Sequence, residues 1–138
     1  MNLLQQGIEM KGSKVVSGRS RGRRLGIPTI NIDLSCVSKE MKHGIYACWI
    51  RFNGKQHMGS IHYGLRPVFN DSETFEVHVL DTLIEVPPAC VDIRIVGRIR
   101  DIRNFDSPEA LKSAIATDVE ATRAMLHQHE KAPEEHHP

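Results

Sequence analysis

Three stretches of this sequence carry groups that can do chemistry. The first is Gly26-Ile27-Pro28-Thr29-Ile30-Asn31. Thr29 and Asn31 are two apart, so on an extended chain their side chains project to the same side. Pro28, just ahead of them, withholds a backbone donor. Mg²⁺ takes few protein oxygens and completes its shell with water and phosphate, and a Thr/Asn pair suits that role. The spacing equally suits the start of a strand with two exposed polar residues. The second stretch lies immediately upstream. "GRSRGRRLG" (18–26) sets Arg19, Arg21, Arg23 and Arg24 among Gly18, Gly22 and Gly26. Glycine-rich loops let backbone N–H groups close around phosphate oxygens, and arginines add charge. There is no Gly-x4-Gly-Lys-Ser/Thr, so this is not a Walker loop. A solvated basic loop has the same composition.

The third stretch is "FEVHVLD" (75–81). It alternates, with Phe75, Val77 and Val79 on one face and Glu76, His78 and Leu80 on the other. A carboxylate at Glu76 can take a proton from a hydroxyl; spacing alone equally describes a surface acid. His78 suits packing or hydrogen bonding better than ligation. A further arginine cluster, "GRIRDIRNF" (97–105), carries Phe105 as a stacking platform, or is a solvated loop. His127, His129, His136 and His137 belong to a polar tail.

These groups need elements to position them. "KVVSG" starts a first strand after a weak leader over 1–13. "PTINIDL" is a second, and residues 35–43 are irregular. "GIYACWIRF" (44–52) is rich in β-formers. Asn53-Gly54 is a hairpin signal joining it to "QHMGSIHYG". "FEVHVLD" and "CVDIRIVGRIR" (90–100) follow. The period then changes. Ser107-Pro108-Glu109 reads as N-cap, first turn and dipole-matched acid. Leu111, Ile115, Val119, Thr122 and Leu126 continue at helical spacing, predicting a helix to about His127 that ends before Pro133. Five or six strands and one helix predict a small antiparallel barrel or sandwich with a helix packed on it.

The totals fit one domain over residues 1–138, with an ordered core over about 14–128 and a flexible tail over 129–138. The net charge of +1 hides a local imbalance. Without the four loop arginines, 14 of the 18 basic residues would face 17 acidic ones. Cys36, Cys48 and Cys90 are an odd set with no Cys-x-x-Cys spacing. This argues against a disulfide framework or zinc site and for a reducing, cytoplasmic location. No stretch is apolar enough for a membrane span, and nothing resembles a signal peptide.

The order of these segments resembles the riboflavin kinase (ATP-dependent flavokinase) family from about Lys14 to Leu126. The matching stretches are "VVSGRSRGRRLGIPTINI", "GIYACWI", "YGLRP", "FEVHVLD" and "IVGRIRDIRNFDSPEALKSAIATD". The family signature is a Gly-rich loop running into Gly-Φ-Pro-Thr-Ala-Asn (Φ apolar), and here Ile30 replaces the Ala. The resemblance implies a six-stranded antiparallel Greek-key barrel with a C-terminal helix. It implies transfer of the γ-phosphate of ATP to the 5′-hydroxyl of riboflavin, giving FMN and ADP. Carried over by position, Thr29 and Asn31 hold Mg²⁺ (or another divalent cation) and phosphate. Gly18, Arg23 and Gly26 belong to the nucleotide loop. Glu76 is the catalytic base, and the flap over the flavin ring spans Arg100 to Phe105, with Arg103 within it. Two departures stand out. Pro87 and Pro88 occupy the region where the family usually has Tyr-Gly, and Ile102 replaces a common flap acid.

The expected partners are riboflavin/FMN and ATP/ADP, with no membrane and no nucleic acid, and the expected state is a monomer. FAD synthesis is not expected, since the adenylyltransferase domain of many bacterial relatives is absent from this sequence. The departures keep open a catalytically impaired flavin- or nucleotide-binding relative. The basic loop keeps open a nucleic-acid-binding barrel. At 5% aromatic, the chain offers little stacking surface for that last role.

Overall fold

The computed structural model describes residues 8–16, 27–65 and 73–134, with side chains described to Gln128. Six strands appear among these residues: β1 (Ile8–Val16), β2 (Thr29–Ile32), β3 (Gly44–Phe52), β4 (Lys55–Leu65), β5 (Glu73–Val79) and β6 (Cys90–Arg100). A single 3₁₀ turn, Leu34–Cys36, follows β2, and one helix, α1 (Pro108–Glu134), closes the described chain.

The strands form a closed antiparallel barrel in the order β1-β2-β5-β4-β3-β6. β3, β4 and β5 are consecutive neighbours, and β6 returns to lie beside β3. That is the Greek-key arrangement. Closure leaves no free edge. The β3–β4 hairpin turns on Asn53 and Gly54, whose φ values of 51° and 76° fit the two-residue turn that the Asn-Gly pair predicts. Pro28 keeps its place beside the sheet by accepting rather than donating: its carbonyl takes the Val79 N–H at 2.9 Å.

The barrel is filled from every strand. Ile30, Phe75, Val77, Ile61, Cys48, Ile50, Ile93 and Ile95 are almost completely buried there. Burial pushes the Cys48 thiol well above the ordinary range, so it is inert packing. The outer surface carries a second apolar cluster, in which Ala47 and Val96 meet Leu126 of α1. The helix therefore covers one outer side of the barrel.

Two boundaries differ from the sequence reading. The stretch before Lys14 is not a loose leader, because Ile8, Glu9 and Met10 pair with Ile95, Arg94 and Ile93 of β6. Its pattern is broken by a bulge between Met10 and Ser13, with Gly12 at φ 60°, which hid the strand. The helix also continues through Pro133 to Glu134. Proline's fixed φ is helical, and near a C-terminus it removes few hydrogen bonds. At the other end the predicted cap is present. The Ser107 side chain accepts from the Ala110 N–H at 3.1 Å.

Candidate active site

Period-two alternation on β5 decides the site. Phe75, Val77 and Val79 fill the barrel, so Glu76 and His78 face outward. They are nonetheless buried, at 3% and 8% exposure, because other elements cover this outer face. Glu76 is therefore not a surface acid.

Register brings partners to both. On one side, Asn31 of β2 lies opposite Glu76, and Thr29 lies opposite His78. On the other side, β4 sets His62 opposite Glu76 and Ser60 opposite His78. Beyond β4, Ile45 of β3 lies opposite His62 and also opposite Arg100 of β6. Direct cross-strand partners hold their Cβ atoms about 5 Å apart. One continuous row, Asn31–Glu76–His62–Ile45–Arg100, thus runs across five strands.

A cleft opens over this row. Its floor includes Glu76, His78, Ser60 and His62. Arg100, Arg103 and Phe105 also line it, as do Leu111, Ile115 and Asp118 of α1. Arg100 is held firmly: its Nε and Nη2 donate to the two carboxylate oxygens of Asp118, at 2.8 and 2.7 Å. A planar fork on a carboxylate fixes orientation as well as distance. The guanidinium carbons of Arg100 and Arg103 lie 5.8 and 5.4 Å from the centre of the Phe105 ring. Both are within cation–π range.

The segment Arg100–Phe105 has a second anchor. A Cβ built on Gly64 would lie 2.9 Å from Cγ1 of Ile102, so the Ile102 side chain rests directly on that glycine. The apolar residue in place of the family's acid is a packing contact.

His78 is the unusual member. Burial lowers its pKa to about 4, so the ring is neutral near pH 7. Its Nε2 has no hydrogen-bond partner among the described residues. Packing does not account for it, since a buried orphan nitrogen is costly.

The structure brings Glu76, Arg100, Arg103 and Phe105 into one cleft. Thr29 and Asn31 sit side by side on β2, one strand beyond the cleft floor. Gly18, Arg23 and Gly26 lie outside the described residues. Sequence reasoning missed Ser60, His62 and Asp118. Asp118 takes a buried helix position at 7% exposure, where the expected helical stripe named its neighbour Val119. An acid at position three after Ile115 was the available signal. Among the described residues no helix is long and apolar enough to cross a membrane. Cys36, Cys48 and Cys90 are free thiols.

Comparison with known proteins agrees with this arrangement. The family described as Flavokinase, riboflavin kinase, matches residues 4–126. Human riboflavin kinase is 34% identical over 120 residues, covering 82% of this chain and 77% of that protein. The RNA-binding riboflavin kinase RibR of Bacillus subtilis is 31% identical over 107 residues, 76% of this chain and 46% of that protein. A bifunctional riboflavin kinase/FMN adenylyltransferase of Haemophilus influenzae is 32% identical over 127 residues, 91% of this chain and 41% of that protein. The chain thus spans less than half the length of the two bacterial relatives. A solved structure from Streptococcus pneumoniae, described as a macrolide-efflux protein, superposes with a TM-score of 0.72 at 27% identity. The match covers 85% of this chain and 38% of that one. A six-stranded barrel with one covering helix, Thr29 and Asn31 on β2 paired with the β5 strand that carries Glu76, and a family match over most of the sequence lead to one statement: the chain belongs to the riboflavin kinase family.

Proposed function

We propose that this protein transfers the γ-phosphate of ATP to the 5′-hydroxyl of riboflavin, giving FMN and ADP. One observation carries the reading: the carboxylate-bearing Glu76 is buried in the cleft floor, between Asn31 on one strand and His62 on the next. Phosphoryl transfer depends mainly on positioning and charge neutralisation. The 5′-oxygen of riboflavin forms the new bond to the γ-phosphorus. The bond from that phosphorus to the β–γ bridging oxygen breaks, and ADP leaves with the electron pair. The alcohol proton passes to Glu76, which orients the oxygen before it reacts.

The flavin ring suits the cleft lining made by Arg100, Arg103 and Phe105 together with Leu111 and Ile115. A planar aromatic ligand gains from such apolar and cationic faces. Arg100, forked onto Asp118, acts there as part of a rigid wall.

Thr29 and Asn31 fit a Mg²⁺–nucleotide. They offer a hydroxyl and an amide oxygen on adjacent positions of one strand face. The set is hard and small, as suits an ion that draws its remaining ligands from phosphate and water. When bound, such an ion neutralises charge on the β- and γ-phosphates. Gly18, Arg23 and Gly26 would complete the phosphate cradle with backbone N–H groups and positive charge. The three free thiols are consistent with a cytoplasmic protein, and we read the working state as a monomer.

Incubation with riboflavin, ATP and Mg²⁺, with FMN followed by chromatography, tests the reading. Accumulation of FMN in step with ADP is expected. Tight flavin binding with no turnover would point instead to a catalytically impaired relative.

A further inference from the structure

The proposed mechanism uses Glu76 and leaves the residue two places along the same face without a task. His78 lines the same cleft at 8% exposure, with its Nε2 unpartnered among the described residues. Its cross-strand neighbours are small and hydroxyl-bearing, Thr29 on β2 and Ser60 on β4. A buried nitrogen without a partner costs free energy, and such a group on the lining of a cleft calls for an explanation.

We propose that His78 is a binding residue for the acceptor's polyhydroxyl chain: its ring hydrogen-bonds a ribityl hydroxyl of riboflavin and so helps hold the terminal alcohol at Glu76. This rests on the riboflavin kinase reading above.

Geometry supports the assignment. Residues two apart on a strand are about 6.6 Å apart and share a face. A chain whose terminal hydroxyl meets Glu76 carries its next hydroxyls on adjacent carbons, and a side chain at that spacing is within reach of one of them. Chemistry favours a hydroxyl over a phosphate. A phosphate subsite is built from cations and backbone donors. The cleft cation Arg100 is already forked onto Asp118. A hydroxyl both donates and accepts, so it satisfies either imidazole tautomer.

The test compares three ligands by titration: riboflavin, lumiflavin (the same ring without the hydroxylated chain) and MgADP. His78→Phe keeps a planar ring and removes the hydrogen bond. We expect riboflavin affinity to fall roughly ten-fold, with lumiflavin and MgADP affinity unchanged. His78→Gln, whose amide both donates and accepts, should recover part of the loss. If His78→Phe does not fold, His78→Leu serves for the same comparison. Riboflavin affinity equal to wild type overturns the inference. An equal loss for riboflavin and lumiflavin also overturns it, because the residue would then be shaping the cleft. A loss for MgADP alone does the same, by assigning the ring to the phosphates. The wild type separates the two levels of argument. A wild type that makes no FMN removes the kinase reading. A wild type that makes FMN beside an indifferent His78→Phe removes only the role of His78.

Discussion

Asn31 and Glu76 are direct register partners on the antiparallel strands β2 and β5, and both are buried, at 9% and 3% exposure. An amide oxygen suited to a metal–phosphate complex therefore stands beside a carboxylate suited to a substrate hydroxyl. In the proposed transfer, the metal-binding and acceptor-binding halves meet across this one strand pair.

Replacing Glu76 with Gln keeps the shape and removes the basicity. We expect kcat to fall by about 10²–10⁴, with riboflavin KM changed little. Steady-state kinetics checks this. Near-normal turnover would remove Glu76 from the mechanism.

Thr29→Ala and Asn31→Ala should each weaken MgADP binding. Their effects on the fold should differ. Asn31 is buried, whereas Thr29 is only partly so and makes a long 3.5 Å contact to the Ile27 carbonyl. Asn31→Ala should cost about 1–2 kcal/mol of stability and Thr29→Ala less. Calorimetric titration with and without Mg²⁺, beside thermal melts, measures both. Wild-type nucleotide affinity in both variants would refute the metal assignment.

Asp118→Ala leaves the Arg100 guanidinium without its fork. Removing one partner of a fully buried pair costs about 3–5 kcal/mol. Arg100 keeps 24% of its side chain exposed, so a smaller loss, about 2 kcal/mol, is expected here. Freed from α1, the Arg100–Phe105 wall should also hold the flavin less well, raising riboflavin KM about ten-fold. A double-mutant cycle with Arg100→Ala isolates the pair. Additive losses would show that the fork does not couple flap and helix.

Gly64→Ala should act on the flap from beneath. The new methyl would meet Ile102 at 2.9 Å, too close for an unmoved neighbour. Ile102 must shift, and the chain towards Phe105 shifts with it. Riboflavin KM should rise several-fold, with a stability loss of about 1–3 kcal/mol. Unchanged KM in a folded variant would mean that the flap is not anchored there.

His78 should make the fold sensitive to acid. Its folded pKa of about 4 lies below the ordinary value near 6.5. Above pH 6.5 the ring is neutral in both states and contributes no pH dependence. Between 6.5 and 4 the unfolded chain binds a proton that the folded protein does not, so stability falls as pH falls. The loss approaches roughly 3 kcal/mol and levels off below pH 4. Melts of wild type and His78→Gln across this window check it. The variant should lose less stability between pH 7 and 4.5, and parallel curves would count against a buried neutral ring.

The sequence by itself determined the parts that depend on local chemistry. Asn53-Gly54 specified the hairpin because only a turn with two positive φ values joins those strands closely. Ser107-Pro108 specified the helix start because a side-chain acceptor and a missing donor suit that position. Alternation in "FEVHVLD" put Glu76 opposite the barrel core, and the Gly-Ile-Pro-Thr-Ile-Asn run identified the family.

Pairing between distant strands was decided only in three dimensions. Arg98 and Arg100 have the same parity in "GRIR" and should share a face. The structure separates them through a bulge at Ile99 in the β3–β6 ladder. Arg98 lies opposite the core residue Tyr46 and donates to the His43 carbonyl, whereas Arg100 lies opposite Ile45 and reaches Asp118 in the cleft. A bulge inserts an unpaired residue, and nothing in a single strand's pattern reveals it. His62 and Ser60 likewise look like ordinary polar positions of a half-exposed strand until register sets them beside Glu76 and His78. The helix lies over β3, β4 and β6, and Leu111, Ile115 and Asp118 of α1 line the cleft beside that outer face. A polar residue on an outer strand face reads as solvated in sequence, and only the elements packed around it make it part of a site.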